Sequence, residues 1–160
     1  MTQHAVEGKT PPAALVKAFN AVLRPLLRSP LGRRMGSLML LHFAGRKSGV
    51  GYDVPVSVHH DASGLYALTP AEWRLNFRSG ADTEVTVAGR TTMMHGELVE
   101  DVPTVARTYF ARITELGVRE AKKQIGLDFA RDELPTLADV TDLIRREHFA
   151  VVRLSARGVG

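Results

Sequence analysis

The sequence contains no cysteine, few aromatic residues (one Trp, three Tyr and six Phe) and no long apolar run. The absence of cysteine excludes disulfides, thiolate catalysis and cysteine-ligated zinc. No stretch approaches the roughly 20 apolar residues of a membrane helix, and residues 1–15 lack the apolar core of a secretory signal. We therefore expect a cytoplasmic protein of 160 residues whose single domain is stable without disulfide cross-links.

The positive charge is concentrated at the N-terminal end of the chain. Residues 1–50 hold eight Lys or Arg and one acidic residue, whereas the remaining 110 hold thirteen basic and sixteen acidic residues. Such a block attracts nucleic acid, anionic lipid or an anionic small molecule. Because the few aromatic residues do not cluster with the basic run, base stacking has little support and we expect no nucleic-acid partner.

The hydrophobic pattern predicts an α+β protein. Residues 1–12 are expected to be disordered, and the remainder, 13–160, to form one domain. Residues 13–28 have the period of a basic amphipathic helix, which Pro25 should kink. This helix packs on the domain, or it contacts a membrane surface through residues 13–34, which would make the cytoplasmic protein membrane-associated.

Beyond that helix, alternating β-branched residues and turn signals predict about six mostly antiparallel strands joined by hairpins. Short antiparallel strands at this spacing favour a small barrel with flanking helices. The helices are predicted at residues 72–78, 103–116 and 118–125, and after Thr136 with Asp139 as its N-cap pair.

A glycine-rich basic turn separates the first two predicted strands. Gly45, Gly49 and Gly51 allow a sharp bend that could turn N–H groups toward an anion, and Arg46 and Lys47 add positive charge. The order of the residues excludes a P-loop, because Lys-Ser precedes the second glycine and a strand follows. A phosphate or carboxylate site and a merely solvated hairpin remain open alternatives.

Three motifs occur in order along the chain: Gly-Arg-Lys-Ser-Gly at 45–49, Val-Pro-Val at 54–56 and Trp-x-x-Asn-x-Arg at 73–78. Together with the strand pattern, they resemble the deazaflavin-dependent nitroreductase family over about residues 19–154. The resemblance implies a split β-barrel of the FMN-binding type that binds coenzyme F-420, with FMN as the less favoured cofactor. It implies hydride transfer from the reduced deazaflavin to an electron-poor acceptor such as a quinone, enone or nitroaromatic compound.

The resemblance also implies which residues contact the cofactor. The anionic tail would be held by Arg46, Lys47, Ser48 and Gly49. The ring and its linker would be lined by Tyr52, Val54, Pro55, Val56 and Ser57, with Leu68, Thr69 and Pro70 facing the same groove. The segment that closes over the cofactor would contain Trp73, Arg74, Asn76 and Phe77. No catalytic side chain is implied, because the hydride chemistry belongs to the cofactor. By analogy with the family, the protein would form a homodimer.

A second functional class stays open. Asp53 places a carboxylate close to the expected anion site, which favours a non-catalytic binding protein for a lipid, haem or flavin. Tyr66, Tyr109 and His42 are candidate proton donors, although packing is the interpretation we favour for each. We expect no metal site, because adjacent histidines on a strand point to opposite faces.

Overall fold

The computed structural model describes residues 6–8, 38–130 and 133–156, with side chains described from residue 38 onward. The strands are β1 Val6–Gly8, β2 Leu38–Ala44, β3 Gly51–Ser57, β4 His59–Asp61, β5 Gly64–Thr69, β6 Ala81–Val87, β7 Arg90–Val99, β8 Leu127–Phe129 and β9 Ala150–Ala156. The helices are the 3₁₀ helix η1 Glu72–Phe77 and the α-helices α1 Val102–Leu116, α2 Val118–Gln124 and α3 Leu137–Glu147. The predicted basic helix at 13–28 and the proposed membrane contact at 13–34 lie outside the described residues.

The described chain divides into two compact units. The sheet unit contains residues 38–67, 75–98 and 152–156, and the helical unit contains residues 6–8, 68–74, 99–130 and 133–151. The assignment of residues 13–160 to one domain stays a prediction.

The order of the seven strands in the large sheet shows that the sheet is curled. The order is β3-β2-β6-β7-β9-β5-β4, which places β3 and β4 at opposite edges. A flat sheet of this size would hold its edges about 29 Å apart. Only Val58 separates the two strands, however, and two Cα–Cα steps span at most about 7.6 Å. The sheet therefore curls back on itself, which confirms the predicted barrel of antiparallel strands in an α+β protein, with seven strands in place of about six.

Strand β2 organises the core of the sheet unit. It pairs antiparallel with β3 on one side and with β6 on the other. Met39, Leu41 and Phe43 alternate along one face and are buried, and their partners on β3 include Val54 and Val56. This period of two is the one that the sequence pattern predicted.

Hydrogen bonds at the helix ends fix where the helices of the helical unit begin and end. Asp101 Oδ2 accepts a hydrogen bond from Thr104 N at 3.1 Å at the start of α1, and Gly117 N donates to Ile113 O at 2.8 Å at its end. A capping box joins Thr136 and Asp139 at the start of α3. Helices α1 and α3 pack together, and no helix within the described ranges is both long and apolar enough to cross a membrane.

One small ladder departs from the expectations. Val6–Gly8, which we expected in a disordered start, pairs antiparallel with Leu127–Phe129, which we expected in a polar linker. Both segments are strands, because their backbone groups satisfy one another across this ladder. Three-residue strands are too short to produce a detectable alternation in sequence.

Candidate functional site

The basic turn between β2 and β3 is closed by its own backbone. Gly45 N donates to Val50 O at 2.7 Å, and Gly49 N donates to Gly45 O at 2.9 Å. A Cβ atom at Gly45 would lie 2.7 Å from Tyr52 Cε2 and 2.9 Å from Ser48 Oγ, and Gly49 has a φ of 71°. Glycine is therefore favoured at 45 by contact and at 49 by backbone conformation.

A side chain from η1 fixes the turn from outside. Arg46 N donates to Asn76 Oδ1 at 2.8 Å, and Val50 N donates to Ser48 Oγ at 3.2 Å. The amides of residues 45, 46, 49 and 50 are thus used within the turn or by Asn76. Our expectation that the glycines turn these N–H groups toward an anion is wrong for these four. The side chains of Arg46 and Lys47 supply the positive charge that would attract an anion to this turn.

The two cations of the turn stand beside exposed apolar surface. Arg46 and Lys47 are exposed, and neither forms an ion pair with another residue that the structure describes. Val50 is 57% exposed and Tyr52 is 45% exposed, so two large side chains with apolar surface stand close together in sequence beside the cations. The turn therefore combines positive charge with an accessible aromatic ring.

The ring of Tyr52 rests on buried aromatic side chains. Phe43 lies 6.0 Å from Tyr52 between ring centroids, and 5.0 Å from Phe77 in an edge-to-face arrangement. Phe77 is fully buried. Its position is that of a core residue supporting the turn, whereas the family resemblance assigned it to the cofactor. Asn76, from the same motif, holds the turn directly.

Asp53 is paired with His42. The two residues face each other across the β2–β3 ladder, and the Asp53 carboxylate accepts a hydrogen bond from His42 Nδ1. The His42 side chain is 43% exposed and that of Asp53 is 8% exposed. Strand alternation turns Asp53 to the opposite face of β3 from Tyr52. The carboxylate is therefore both partnered and directed away from the aromatic surface, so it opposes an anion less than we expected.

The predicted ring-lining residues divide between the two faces of β3. Tyr52, Val54 and Val56 share one face, whereas Pro55 and Ser57 lie on the other, with Asp53. The five residues therefore do not line one surface of the strand. Their assignment to cofactor binding stays a prediction.

The remaining predicted contacts belong to the helical unit. Leu68 and Thr69 are buried, and Thr69 Oγ1 accepts a hydrogen bond from Ala71 N at 2.9 Å. Arg74 Nη1 donates to Pro70 O at 2.9 Å and to Ala71 O at 3.0 Å. These bonds define a tight local turn that also includes half-buried Trp73. A cofactor contact by these residues stays a prediction.

Two of the three candidate proton donors are packing residues. Tyr109 is fully buried and its hydroxyl donates to Ala150 O at 3.2 Å, and burial raises the pKa of this phenol well above its ordinary value. Tyr66 is buried, stacks on His59 at 5.5 Å between centroids and has the Arg153 guanidinium 5.2 Å from its ring centre. His42 alone retains an accessible ring. Its pairing with Asp53 follows from the turn length, which the sequence pattern did not reveal.

No protein-family model matches this chain, and no curated protein matches it in sequence. Among solved structures, the chain is similar to HutZ, the heme storage protein from Vibrio cholerae, at 12% identity and a TM-score of 0.47, over 85% of this chain and 91% of that one. It is similar to protein Atu2129 of unknown function from Agrobacterium tumefaciens str. C58, at 15% identity and a TM-score of 0.36, over 82% and 63%.

A third similar structure is a proposed 5-nitroimidazole antibiotic resistance protein from Bacteroides thetaiotaomicron, at 11% identity and a TM-score of 0.39, over 99% of this chain and 91% of that one. These distant similarities decide nothing about function. The barrel assignment rests on the strand order.

Proposed function

We propose that the protein is a reductase that uses coenzyme F-420 to transfer a hydride to an electron-poor acceptor. The observation that carries this proposal is the hydrogen-bonded, exposed turn in which Arg46 and Lys47 stand beside the accessible ring of Tyr52. The same turn carries the Gly-Arg-Lys-Ser-Gly motif on which the family resemblance depends.

The turn suits the two chemical parts of such a cofactor. A phosphate and oligoglutamate tail is anionic and matches the charges of Arg46 and Lys47. A flat ring matches the surface formed by Tyr52 above Phe43. Since Asn76 and the glycine contacts already fix the turn, little backbone ordering is needed on binding.

When bound, the deazaflavin supplies the hydride chemistry. The protein's residues hold and orient its tail, and they position a quinone, enone or nitroaromatic acceptor without a side-chain nucleophile. Because the two cations are exposed, their attraction for the tail is screened by salt, and we expect cofactor affinity to fall as ionic strength rises.

A fluorescence titration of F-420 into the full chain tests the proposal. Replacing Lys47→Glu reverses one charge at the turn and should weaken binding by about tenfold or more. Lys123→Glu is the matched control, because Lys123 is exposed in the helical unit and its reversal changes the net charge equally. Absence of binding to the unaltered protein, or equal weakening by both variants, would refute the proposal.

One observation favours the alternative of a non-catalytic haem-binding protein. Asp53 engages Nδ1 of His42, which leaves Nε2 of a partly exposed imidazole as an available iron ligand. If this alternative holds, haemin added to the protein will give a Soret shift that His42→Ala abolishes, and F-420 will not bind. Retention of the shift in His42→Ala would remove His42 as the ligand.

The remaining partners stay proposals of the same kind. Loss of sedimentation with anionic vesicles on deletion of residues 1–30 would support a membrane contact, and unchanged sedimentation would count against it. A homodimer would be seen as twice the chain mass of 17.5 kDa by light scattering, whereas a mass of one chain would exclude it.

A further inference from the structure

The helical unit contains a cleft. Its volume is about 260 Å³, and it lies among Arg74, the start of α1, and the end of α3 with the residues that follow. Cavities that hold drug-sized ligands are typically larger, so this cleft suits a small organic molecule.

Arg74 is the residue that indicates which chemical group a ligand of this cleft would carry. Its Nη1 atom is held by the carbonyls of Pro70 and Ala71, so the guanidinium is fixed in orientation. Its Nε atom is buried and has no hydrogen-bond partner among the described residues. With Nη1 engaged, Nε and Nη2 form the remaining edge, and two parallel N–H groups match the two oxygens of a carboxylate. Because Nε is buried, the carboxylate reaches both N–H groups only when the groups that cover Nε shift.

The charges around Arg74 favour the same class of ligand. Arg145 and His148 also line the cleft, and the acidic lining residue is Glu100. His148 caps α3 in a left-handed conformation with a φ of 55°, which few side chains adopt. The positive charge of Arg74 also affects the buried side chain of Tyr109. Burial raises the pKa of Tyr109, and the charge of Arg74 opposes this rise.

The rest of the lining is apolar. Val102, Ile144 and Phe149 contribute to the cleft, and Ile144 and Phe149 are themselves almost fully buried. Phe149 is held edge-to-face against Tyr109 with 5.4 Å between ring centroids. A ligand that fills the cleft must therefore present an apolar body together with its anionic group.

We propose that this cleft binds a small organic carboxylate with an aromatic or branched apolar body. The carboxylate pairs with the Nε–Nη2 edge of Arg74, Arg145 and His148 add positive charge, and the body packs against Ile144 and Phe149. The family resemblance also assigns Arg74 to the cofactor, but the test with benzoate and benzamide does not depend on F-420 binding.

Benzoate and benzamide are matched probes, since they share shape and differ in charge. In the full-length ¹⁵N-labelled protein, we expect benzoate to shift the Nε–H resonance of Arg74 saturably, and benzamide to leave it unchanged. Arg74→Lys keeps the charge and removes the two-pronged edge, so it should weaken benzoate binding by about tenfold. Arg119→Lys, an exposed position on α2, is the control and should have no effect.

Arg145→Gln provides a second variant at a surface position and should weaken benzoate binding several-fold in a folded protein, whether or not Arg74→Lys folds. Three outcomes of the benzoate and benzamide titrations would overturn the proposal. They are the absence of a saturable shift, equal effects of benzoate and benzamide, and equal affinity in all variants. Tighter binding of inorganic phosphate than of benzoate would also overturn it, because the ligand class would then be wrong.

Discussion

Replacement of Gly96 by alanine tests how tightly the core is packed around Phe77, the buried residue that supports the basic turn. A Cβ atom at Gly96 in β7 would lie 2.6 Å from Phe77 Cδ1 and 2.7 Å from Phe77 Cε1. Phe77 is fully buried, and Leu154 Cδ2 lies 3.4 Å from the same Cβ position. The backbone of Gly96 does not have a positive φ, so the obstacle is steric contact alone.

Overpacking of this kind costs about 1–3 kcal/mol. Alanine in a strand gains about 0.5–1 kcal/mol over glycine through the lower entropy of the unfolded chain. We therefore expect Gly96→Ala to lower the free energy of unfolding by a net amount of about 0–2.5 kcal/mol. Urea denaturation followed by far-UV circular dichroism measures this difference.

Gly51→Ala is the matched control, since Gly51 also lies in a strand without a positive φ. The Cβ atom there would meet only His42 Cε1, at 3.6 Å, which is ordinary contact. This variant should be as stable as the unaltered protein, or more stable by up to about 1 kcal/mol. A Gly96→Ala protein at least as stable as Gly51→Ala would refute the steric reasoning.

Three further predictions concern single contacts. Asn76→Ala removes the acceptor for Arg46 N, so hydrogen exchange at the Arg46 amide should accelerate and stability should fall by about 0.5–1.5 kcal/mol; unchanged exchange would contradict the role of Asn76. Thr136→Ala breaks the capping box of α3 and should cost about 1 kcal/mol in urea denaturation, whereas an unaltered midpoint would mean that the cap is dispensable. The hydrogen bond from Arg153 holds the pKa of Asp61 below its ordinary value, so its stabilising contribution is present at neutral pH and is lost as pH falls through the folded-state pKa. The ion pair between Asp61 and Arg153 is about one-third exposed. Asp61→Asn should therefore reduce the loss of unfolding free energy on acidification by only about 0.2–1 kcal/mol, and an unchanged dependence of stability on pH would argue against a contribution of this ion pair.

Much of the fold could be predicted from local patterns. The alternation at Val54, Val56 and Val58 identified β3, although Val58 then proved to be the link between the two sheet edges. Pro103 and Gly117 marked the ends of α1, because proline fits the first turn of a helix and glycine fits the positive φ at which this helix ends. These features are visible in sequence because each depends on residues within a few positions of one another.

The site was less accessible to sequence reasoning because its contacts are long-range. The hydrogen bond from Arg46 N to Asn76 joins residues 30 positions apart. Because of it, we no longer interpret the turn as a set of N–H groups that face an anion, but as a fixed turn that exposes the side chains of Arg46 and Lys47. The pairing of His42 with Asp53 depends on the ladder register, which the turn length determines. The family motif includes Phe77 among the residues assigned to the cofactor, but only the packing shows that Phe77 lies in the core.

The central claim is that Arg46 and Lys47 hold the anionic tail of a deazaflavin. A crystal structure of the protein with F-420 bound tests it most directly. We predict phosphate or carboxylate oxygens of the tail within hydrogen-bonding distance of the Arg46 guanidinium and the Lys47 ammonium, with the ring near Tyr52. A structure in which the cofactor lies elsewhere, and the turn contacts only solvent, would contradict the proposal.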